Sequence, residues 1–340
     1  MPDRVSVIVP CYQETAHIGR LAENLIGQDY PAELLEVLFA DGGSTDGTWE
    51  KLETLCDARP HWELLDNPDK YVPQALNACI RKSTGSVIVR MDAHSEYPPD
   101  YISRLVEALN RHGADNVGGI WITEPGDDTP EARAIALAST HPLGIGNARY
   151  RLGANRDERT DTVPYGCFRR SLFDRIGLFD EELIRNQDDE FNGRIIRNGG
   201  SIWLIPSVRI RYKARPTREK LSAMFYQYGF FKPLVNRKLG APATLRQFAP
   251  PLLVLSGALA LLLVFIWPSR MWLFVMWCAG YAIGIAAVSA SLAARHGWSL
   301  FPHLLLTFPS IHFSYGFGYL SGLIRWSLFR KSEAQVGDNR

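Results

Sequence analysis

The chain contains few cysteines, and they follow no pattern that binds zinc or builds a disulfide framework. There are five in 340 residues, an odd number with no Cys-x-x-Cys pair, which predicts reduced thiols rather than structural bridges. The N-terminus also lacks a charged segment followed by an apolar core, and residues 5–9 already have the pattern of a strand. We therefore expect no signal peptide and a first domain in the cytoplasm.

The chain has almost no net charge, with 37 Lys and Arg residues against 36 Asp and Glu residues. Because proteins that bind nucleic acids usually carry a strong positive field, we expect no nucleic acid partner. Positive charge is concentrated in residues 205–246, which hold ten Lys and Arg residues and one acid, Glu219, together with several aromatic residues. This composition favours contact with anionic membrane lipids. A solvated basic surface is the alternative.

Two long segments lack charged residues altogether. Residues 248–267 and 271–294 are both uncharged, and each reaches the roughly 20 residues that cross a bilayer. They predict two transmembrane helices joined by a tight hairpin, with buried helices of a soluble protein as the alternative. Residues 300–324 are also uncharged but contain Pro302 and Pro309, so they are predicted to form either a third span or a re-entrant segment.

The first 200 residues alternate short apolar runs with amphipathic stretches, which predicts βα units around a mostly parallel sheet. Asp41 and Asp92 directly follow two of the apolar runs. Ligands of open α/β sheets bind beyond the carboxyl ends of the strands, so these acids indicate a ligand site. The first predicted elements are a helix over 15–28 and strands over 5–10, 34–40 and 86–91.

The residues that follow these strands are suited to binding a nucleotide and a cation. The turn after Asp41 contains Gly42 and Gly43, which allow a ligand to approach the backbone closely. After the third strand, Asp92 and His94 could both reach one divalent cation. Carboxylate and imidazole suit Mn²⁺, and carboxylate suits Mg²⁺.

In their order and spacing, these motifs resemble the family 2 glycosyltransferases over residues 5–199. The resemblance implies an α/β GT-A nucleotide-sugar-binding fold, followed here by an interfacial segment and C-terminal transmembrane helices. It also implies that the metal and the donor diphosphate bind at a D-x-D motif, here Asp92-Ala93-His94, with Mn²⁺ or Mg²⁺ as cofactor. The residues that it implies as nucleotide contacts are Pro10, Tyr12, Glu14, Asp41, Asp46 and Asn77.

Residues 186–194 open a predicted helix with three consecutive acids. An acidic first turn stabilises any helix through its dipole, and this is the alternative to a catalytic role. In the family, this position carries a Glu-Asp-x-Glu-Leu motif whose Asp is the general base. The resemblance therefore implies that Asp188 is the base, with Asp189 as the second choice and Glu190 as the second Glu of the motif.

The acceptor is expected to bind beside this base. The processive synthases of the family carry an interfacial Gln-x-x-Arg-Trp motif, and residues 225–232 lack its Arg and Trp, which favours addition of a single sugar. A plain strand and turn is the alternative interpretation of residues 164–170. The predicted acceptor residues are Tyr165, Gly166, Cys167, Glu190 and Arg194.

Residues 67–77 and 90–94 are most similar to the ExoA-like succinoglycan-biosynthesis branch. This similarity implies an inverting transfer of glucose from UDP-glucose to a lipid-linked saccharide for exopolysaccharide biosynthesis, at the inner (cytoplasmic) membrane with the catalytic domain facing the cytoplasm. A polyprenyl-phosphate glycosyltransferase, a processive synthase, a nucleotidyltransferase and an inactive nucleotide-binding scaffold are the alternatives. The predicted parts are a catalytic domain at 1–204, a basic interface segment at 205–246, a transmembrane region at 247–330 and a polar tail at 331–340.

Overall fold

The computed structural model describes residues 2–242 and 244–328, so the polar tail predicted at 331–340 lies outside the described residues. Eight strands form one sheet. In chain order they are β1 (Val5–Cys11), β2 (Leu35–Asp41), β3 (Trp62–Asp66), β4 (Val87–Arg90), β5 (Asn116–Glu124), β6 (Glu158–Arg159), β7 (Cys167–Arg169) and β8 (Ile202–Lys213). The strands predicted at 5–10, 34–40 and 86–91 correspond to β1, β2 and β4.

The sheet is mixed, in the order β3-β2-β1-β4-β7-β5-β8-β6. The strands β3, β2, β1 and β4 pair in parallel, as expected of βα units. β7 is antiparallel to both β4 and β5, and β6 is antiparallel to β8. The insertion of β7 beside β4 brings the residues before β7 to the carboxyl end of β4.

Helices follow most of the strands and continue to the end of the described chain. They are α1 (Thr15–Ile26), α2 (Thr48–Asp57), α3 (Val72–Lys82), α4 (Tyr101–Arg111), α5 (Pro130–Ala138), α6 (Pro142–Ile145), α7 (Arg149–Leu152), α8 (Arg170–Ile176), α9 (Gln187–Arg197), α10 (Arg218–Leu239), α11 (Ala249–Ile266), α12 (Met271–His296) and α13 (Phe301–Leu328).

Apolar side chains alternate along β1 between the two faces of the sheet, as the twofold period of a strand requires. Val7 and Val9 join a buried cluster with Leu21 of α1 and Leu105 of α4. Ile8 points to the other face, where a second cluster contains residues of α3, α8 and α9. Helices therefore cover both faces, as the resemblance predicted.

The chain divides into two compact units. The first consists of residues up to 122 together with 148–212, and the second of 123–147 together with the chain from 213 onward. This division differs from the boundary expected at 204, because residues 123–147, which lie before that boundary, belong to the second unit. The reason is apolar packing, since Ile135 of α5 shares a buried cluster with Leu221 of α10 and Phe308 of α13.

Helices α10 and α13 of the second unit pack closely and run in the same direction. Leu221 shares a cluster with Leu304, and further along Trp326 Nε1 donates to the Phe230 carbonyl over 2.9 Å. A Cβ atom at Gly318 or Gly322 would overlap a backbone carbonyl of α10. Glycine thus allows the two backbones to approach more closely than any side chain would permit.

Two helices among the described residues are long and apolar enough to cross a membrane, and they span Leu245–Ile266 and Pro268–His296. Only 22% of the apolar window in the first and 6% in the second is buried, whereas a core helix of a soluble protein buries most of its apolar surface. This exposure argues against the buried-helix alternative. Of residues 300–324, predicted as a span or a re-entrant segment, Leu300 ends a short 3-10 turn and residues 301–324 lie within the single continuous helix α13.

Candidate active site

The loops that follow β1 and β2 leave the sheet side by side, because Cys11 is paired with Asp41 in the parallel register. Backbone amides of the first loop donate to side chains of the second, from Gln13 to Ser44 Oγ and from Glu14 to Thr48 Oγ1, both over 2.8 Å. The two predicted nucleotide motifs therefore form one continuous surface.

Asp41 and Asp46 accept hydrogen bonds from residues of both loops. Asp41 is fully buried, and its carboxylate accepts hydrogen bonds from the Ser44 amide over 2.8 Å and the Ser44 hydroxyl over 2.6 Å. Asp46 is exposed and accepts from the Thr15 amide over 3.1 Å and the Thr48 hydroxyl over 2.6 Å. Both acids thus hold the loops in shape.

The turn at Gly42 brings two further residues close. A Cβ atom at Gly42 would lie 3.1 Å from the carbonyl oxygen of Lys70 and 3.2 Å from Cδ2 of Tyr12. Pro10 is the next-to-last residue of β1, and Tyr12 directly follows the strand. Both residues are partly buried. The absence of a side chain at Gly42 therefore allows both Tyr12 and Lys70 to approach its backbone at this edge of the sheet.

Asp92 follows β4, and its backbone is fixed by Tyr97. The Tyr97 hydroxyl accepts from the Asp92 amide over 2.6 Å and lies 3.2 Å from the Asp92 carbonyl, to which it donates. The buried tyrosine hydroxyl meets both backbone polar groups of Asp92, so this residue has little conformational freedom.

The Asp92 side chain is paired with a buried arginine. Arg90 donates from Nε to Oδ1 of Asp92 over 2.8 Å and from Nη2 to Oδ2 over 3.0 Å. The same guanidinium donates from Nη1 to Oδ1 of Asp188 over 2.7 Å. The fold thus brings Asp92, the predicted metal ligand, and Asp188, the predicted base, to the same guanidinium, although Arg90 and Asp188 are 98 positions apart.

Asp188 lies in the first turn of α9, and its carboxyl has a raised pKa. Burial raises its pKa to about 6, the Arg90 guanidinium opposes this rise, and the Asp92 and Asp189 carboxylates add to it. The side chain remains 36% exposed, which leaves it accessible to a substrate hydroxyl. A pKa near the working pH is the property that favours a general base.

His94 turns towards the first loop. Its Nδ1 lies 3.0 Å from Oε1 of Glu14, and the His17 ring is also close, with ring centroids 6.4 Å apart. An Nδ1–H donated to a carboxylate leaves the lone pair on Nε2, the form in which imidazole binds a metal. Glu14, predicted as a nucleotide contact, thus has His94 as its partner.

The side chains at this edge suit a divalent cation held together with a diphosphate. Among the described residues, no group of three or more His, Cys, Asp or Glu side chains is arranged to hold a metal ion. Cations bound with phosphate substrates commonly use one or two protein carboxylates, and the phosphates and water supply the remaining ligands. A carboxylate at Asp92 with an imidazole at His94 fits that pattern.

Two of the three predicted acceptor residues at 165–167, Tyr165 and Gly166, lie beside the buried arginine. The Arg90 guanidinium carbon lies 5.7 Å from the centre of the Tyr165 ring, and the Arg90 amide donates to the Gly166 carbonyl over 3.0 Å. Cys167 is fully buried in β7, and burial raises the pKa of its thiol. Cys167 therefore belongs to the core rather than to a surface that meets an acceptor.

Three other predicted site residues, Asn77, Glu190 and Arg194, have hydrogen-bond partners within the protein. The buried Asn77 donates to the Phe179 carbonyl over 2.9 Å and accepts from the Phe179 amide over 3.0 Å. Arg194 forms a bidentate pair with Glu190, one turn earlier in α9, and also donates to the Leu178 carbonyl over 2.8 Å. Both sets of contacts fasten the segment around 176–179 to its neighbours.

Sequence reasoning missed Arg90 and Tyr97 as site residues. Arg90 carried a signal, since it is the one charged residue in the apolar run 86–91, and a charge in a central strand needs a buried partner. Tyr97 carried none, because an aromatic residue five positions after a motif is ordinary core composition.

The chain is thus an α/β protein whose candidate ligand site lies beyond the carboxyl ends of its parallel strands. It matches the model of the family described as Glycosyl transferase family 2 over residues 6–177. The chain belongs to this family and is a glycosyltransferase, which confirms the prediction.

Several relatives match most of the chain. The succinoglycan biosynthesis protein ExoA of Rhizobium meliloti (strain 1021) is 32% identical over 286 residues, covering 82% of this chain and 85% of that protein. The dolichyl N-acetyl-alpha-D-glucosaminyl phosphate 3-beta-D-2,3-diacetamido-2,3-dideoxy-beta-D-glucuronosyltransferase of Methanococcus voltae is 28% identical over 243 residues, covering 69% of this chain and 74% of that protein.

Several solved structures resemble almost the whole chain. The mannosyltransferase PcManGT from Pyrobaculum calidifontis, in complex with GDP-Man and Mn²⁺, aligns with a TM-score of 0.60 and 21% identity, covering 96% of this chain and 88% of that one. At this identity the likeness shows a shared fold. Together with the family match, it confirms the predicted GT-A architecture.

Proposed function

We propose that this glycosyltransferase is an inverting, divalent-metal-dependent enzyme that moves a hexose from a nucleotide diphosphate sugar to a lipid-linked saccharide. The observation that carries the proposal is the arrangement of Asp92 and Asp188 about one buried guanidinium. It provides a carboxylate for the donor's cation and a second carboxylate, of raised pKa, for the acceptor's proton.

The reaction is a single displacement. The acceptor hydroxyl oxygen attacks the anomeric carbon, the bond from that carbon to the diphosphate oxygen breaks, and the carboxylate of Asp188 takes the hydroxyl proton. The nucleoside diphosphate leaves from the face opposite the attack, so the anomeric configuration inverts. Mn²⁺ or Mg²⁺ held by Asp92 and His94 would supply positive charge for the departing diphosphate.

The donor and the nucleotide contacts are also part of the proposal. The loop surface formed by Pro10, Tyr12, Asp41 and Asp46 would receive the nucleotide, with glucose from UDP-glucose as the donor sugar. The similarity to ExoA, whose name places it in succinoglycan biosynthesis, supports exopolysaccharide synthesis. The Methanococcus voltae relative, named as a transferase acting on a dolichyl phosphate-linked sugar, supports a lipid-linked acceptor.

Purified protein in nanodiscs, incubated with Mn²⁺, a lipid-linked saccharide and a panel of UDP- and GDP-sugars, tests this function. We expect release of UDP that depends on the acceptor, most rapidly with UDP-glucose. The α-configured donor should give a β-linked product by NMR, because one displacement inverts. A retained configuration, release of pyrophosphate, or no turnover with any donor would contradict the proposal.

Helix packing supports the membrane arrangement that we propose. Helices α11 and α12 are proposed to cross the inner membrane as a hairpin, with the catalytic unit in the cytoplasm. Helix α10 carries basic residues such as Lys220 and Lys238 and would lie on the anionic headgroups. Because α13 packs along α10 over most of its length, we place α13 in the interface beside it.

Cysteine labelling in intact cells checks this arrangement in a background in which the two partly exposed cysteines, Cys56 and Cys278, are replaced by serine. Ser269→Cys, in the turn between α11 and α12, should react with a membrane-impermeant maleimide from outside. Ser327→Cys, near the end of α13, should react only after permeabilisation. External labelling at position 327 would mean that α13 crosses the membrane, whereas protection at position 269 would contradict the hairpin.

A further inference from the structure

A buried charged side chain at the end of a central strand requires an explanation. Arg90 is the last residue of β4 and pairs in register with Ile8 of β1, and its side chain is only 4% exposed. Removing a guanidinium from water is strongly unfavourable unless its donors are satisfied by acceptors of opposite charge. The desolvation cost of this buried guanidinium must therefore be offset by the groups that pair with it.

The partners of Arg90 are two carboxylates from different parts of the chain. Asp92 follows the same strand and accepts hydrogen bonds from Nε and Nη2 of the guanidinium. Asp188 lies in the first turn of α9 and accepts a hydrogen bond from Nη1. A planar guanidinium offers donors in fixed directions, so a carboxylate that pairs with it is fixed in both distance and orientation.

The arginine itself is held in place by its surroundings. Its amide donates to the Gly166 carbonyl over 3.0 Å, and the Tyr101 hydroxyl donates to its carbonyl over 3.4 Å. The Tyr165 ring lies 5.7 Å from the guanidinium carbon and is tied to Ser95 through its own hydroxyl over 2.6 Å. These contacts restrict the position of Arg90 at the end of β4.

We infer that Arg90 is a positioning residue that holds the carboxylate of Asp188 at a set place relative to Asp92. This inference rests on the proposed function, in which Asp92 serves the donor and Asp188 serves the acceptor. Transfer requires the attacking hydroxyl and the donor carbon to meet in line, and a displacement of about 1 Å can cost roughly 10²-fold in rate. One guanidinium that contacts both carboxylates sets that separation directly.

Arg90→Lys separates the effect of geometry from the effect of charge. Lysine keeps the positive charge but is a point donor that cannot bridge both carboxylates in the same plane. We expect kcat for transfer to fall about 10²-fold, with little change in the donor KM or in Mn²⁺ affinity measured by EPR in the presence of UDP. Arg104→Lys, at an exposed ion pair with Asp100, is the matched control and should keep the parental kcat.

Chemical rescue tests the same point without relying on the fold of one variant. Arg90→Ala should be slower still, and guanidinium at low, non-denaturing concentration should restore part of its rate, while methylammonium should not. Circular dichroism and thermal melting of each variant verify that the protein is folded. An Arg90→Lys enzyme with parental kcat, or equal rescue by both cations, would overturn the inference.

A double-mutant cycle asks whether Arg90 acts through Asp188. If it does, Arg90→Lys should cause no further loss of transfer in an Asp188→Asn background, since coupled residues are not additive. Losses that multiply would show that Arg90 acts elsewhere and would reject the inference. If Asp188→Asn alone keeps the parental rate, the proposed base is wrong, and that failure is seen without any Arg90 variant.

Discussion

Asp188→Asn is expected to fold normally, bind UDP and metal almost as the parent does, and lose sugar transfer by roughly 10²- to 10⁴-fold, the contribution typical of a general base. Asparagine keeps the shape of aspartate and its amide oxygen can still accept from Arg90, but it cannot take a proton at neutral pH. Initial rates with a saturating donor, together with equilibrium UDP binding, separate the loss of chemistry from the loss of binding.

The stability of Asp188→Asn should be equal to or above that of the parent at neutral pH. A carboxyl whose pKa is about 6 when folded, against about 3.9 when unfolded, binds its proton more tightly in the folded state. The stability that this protonation contributes is therefore complete below about pH 4 and is lost as the pH rises through 6. Asparagine does not ionise, so urea unfolding at pH 7 should show no loss.

Asp189→Asn is the matched control, since neighbouring helical residues point about 100° apart and cannot both aim at one hydroxyl. It should retain most of the transfer rate. In the parent, kcat/KM should rise with pH through about 6 as Asp188 ionises. Because the Asp189 charge raises the pKa of Asp188, this limb should move to lower pH in Asp189→Asn. An inactive Asp189→Asn with an active Asp188→Asn would exchange the two roles.

Asp92→Asn is expected to lower transfer by about 10²- to 10³-fold, comparable with removal of one electrostatic stabiliser in other enzymes. A neutral amide binds Mn²⁺ or Mg²⁺ far less well than a carboxylate does. EPR titration of Mn²⁺ in the presence of UDP should show weaker binding, and excess EDTA should abolish turnover in the parent.

His94→Gln and Asp100→Asn complete this experiment. The loss in His94→Gln should be smaller than in Asp92→Asn, because imidazole adds no charge to the site. Asp100→Asn removes a surface carboxylate paired with Arg104 and should leave both Mn²⁺ binding and transfer unchanged. Full turnover in excess EDTA would remove the metal from the mechanism and leave Asp92 with a different role.

Local patterns predicted those parts of the fold that local physics determines. The apolar runs that became β1, β2 and β4, and the acids at their carboxyl ends, are visible because a buried strand needs consecutive apolar residues and a ligand loop needs polar ones. The two apolar helices were equally visible from length and charge.

Long-range pairing was not visible in the sequence. Nothing near Arg90 indicates that its second carboxylate lies in α9, and nothing in α5 shows that its apolar face packs on α10 and α13. Asn77 illustrates the same limit in reverse. Its place in a motif suggested a ligand contact, whereas the fold uses its amide to fasten the Phe179 backbone.

If α10 and α13 lie at the membrane as proposed, the glycines between them link the depths of the two helices in it. With Gly318 and Gly322 in contact with the α10 backbone, neither helix can slide along the other without driving a side chain into a carbonyl. In the proposed arrangement, Lys220 and Lys238 of α10 would lie in the headgroup layer and would therefore also determine how deeply the uncharged residues of α13 can enter the acyl chains. A thinner or less anionic bilayer would therefore shift both helices together.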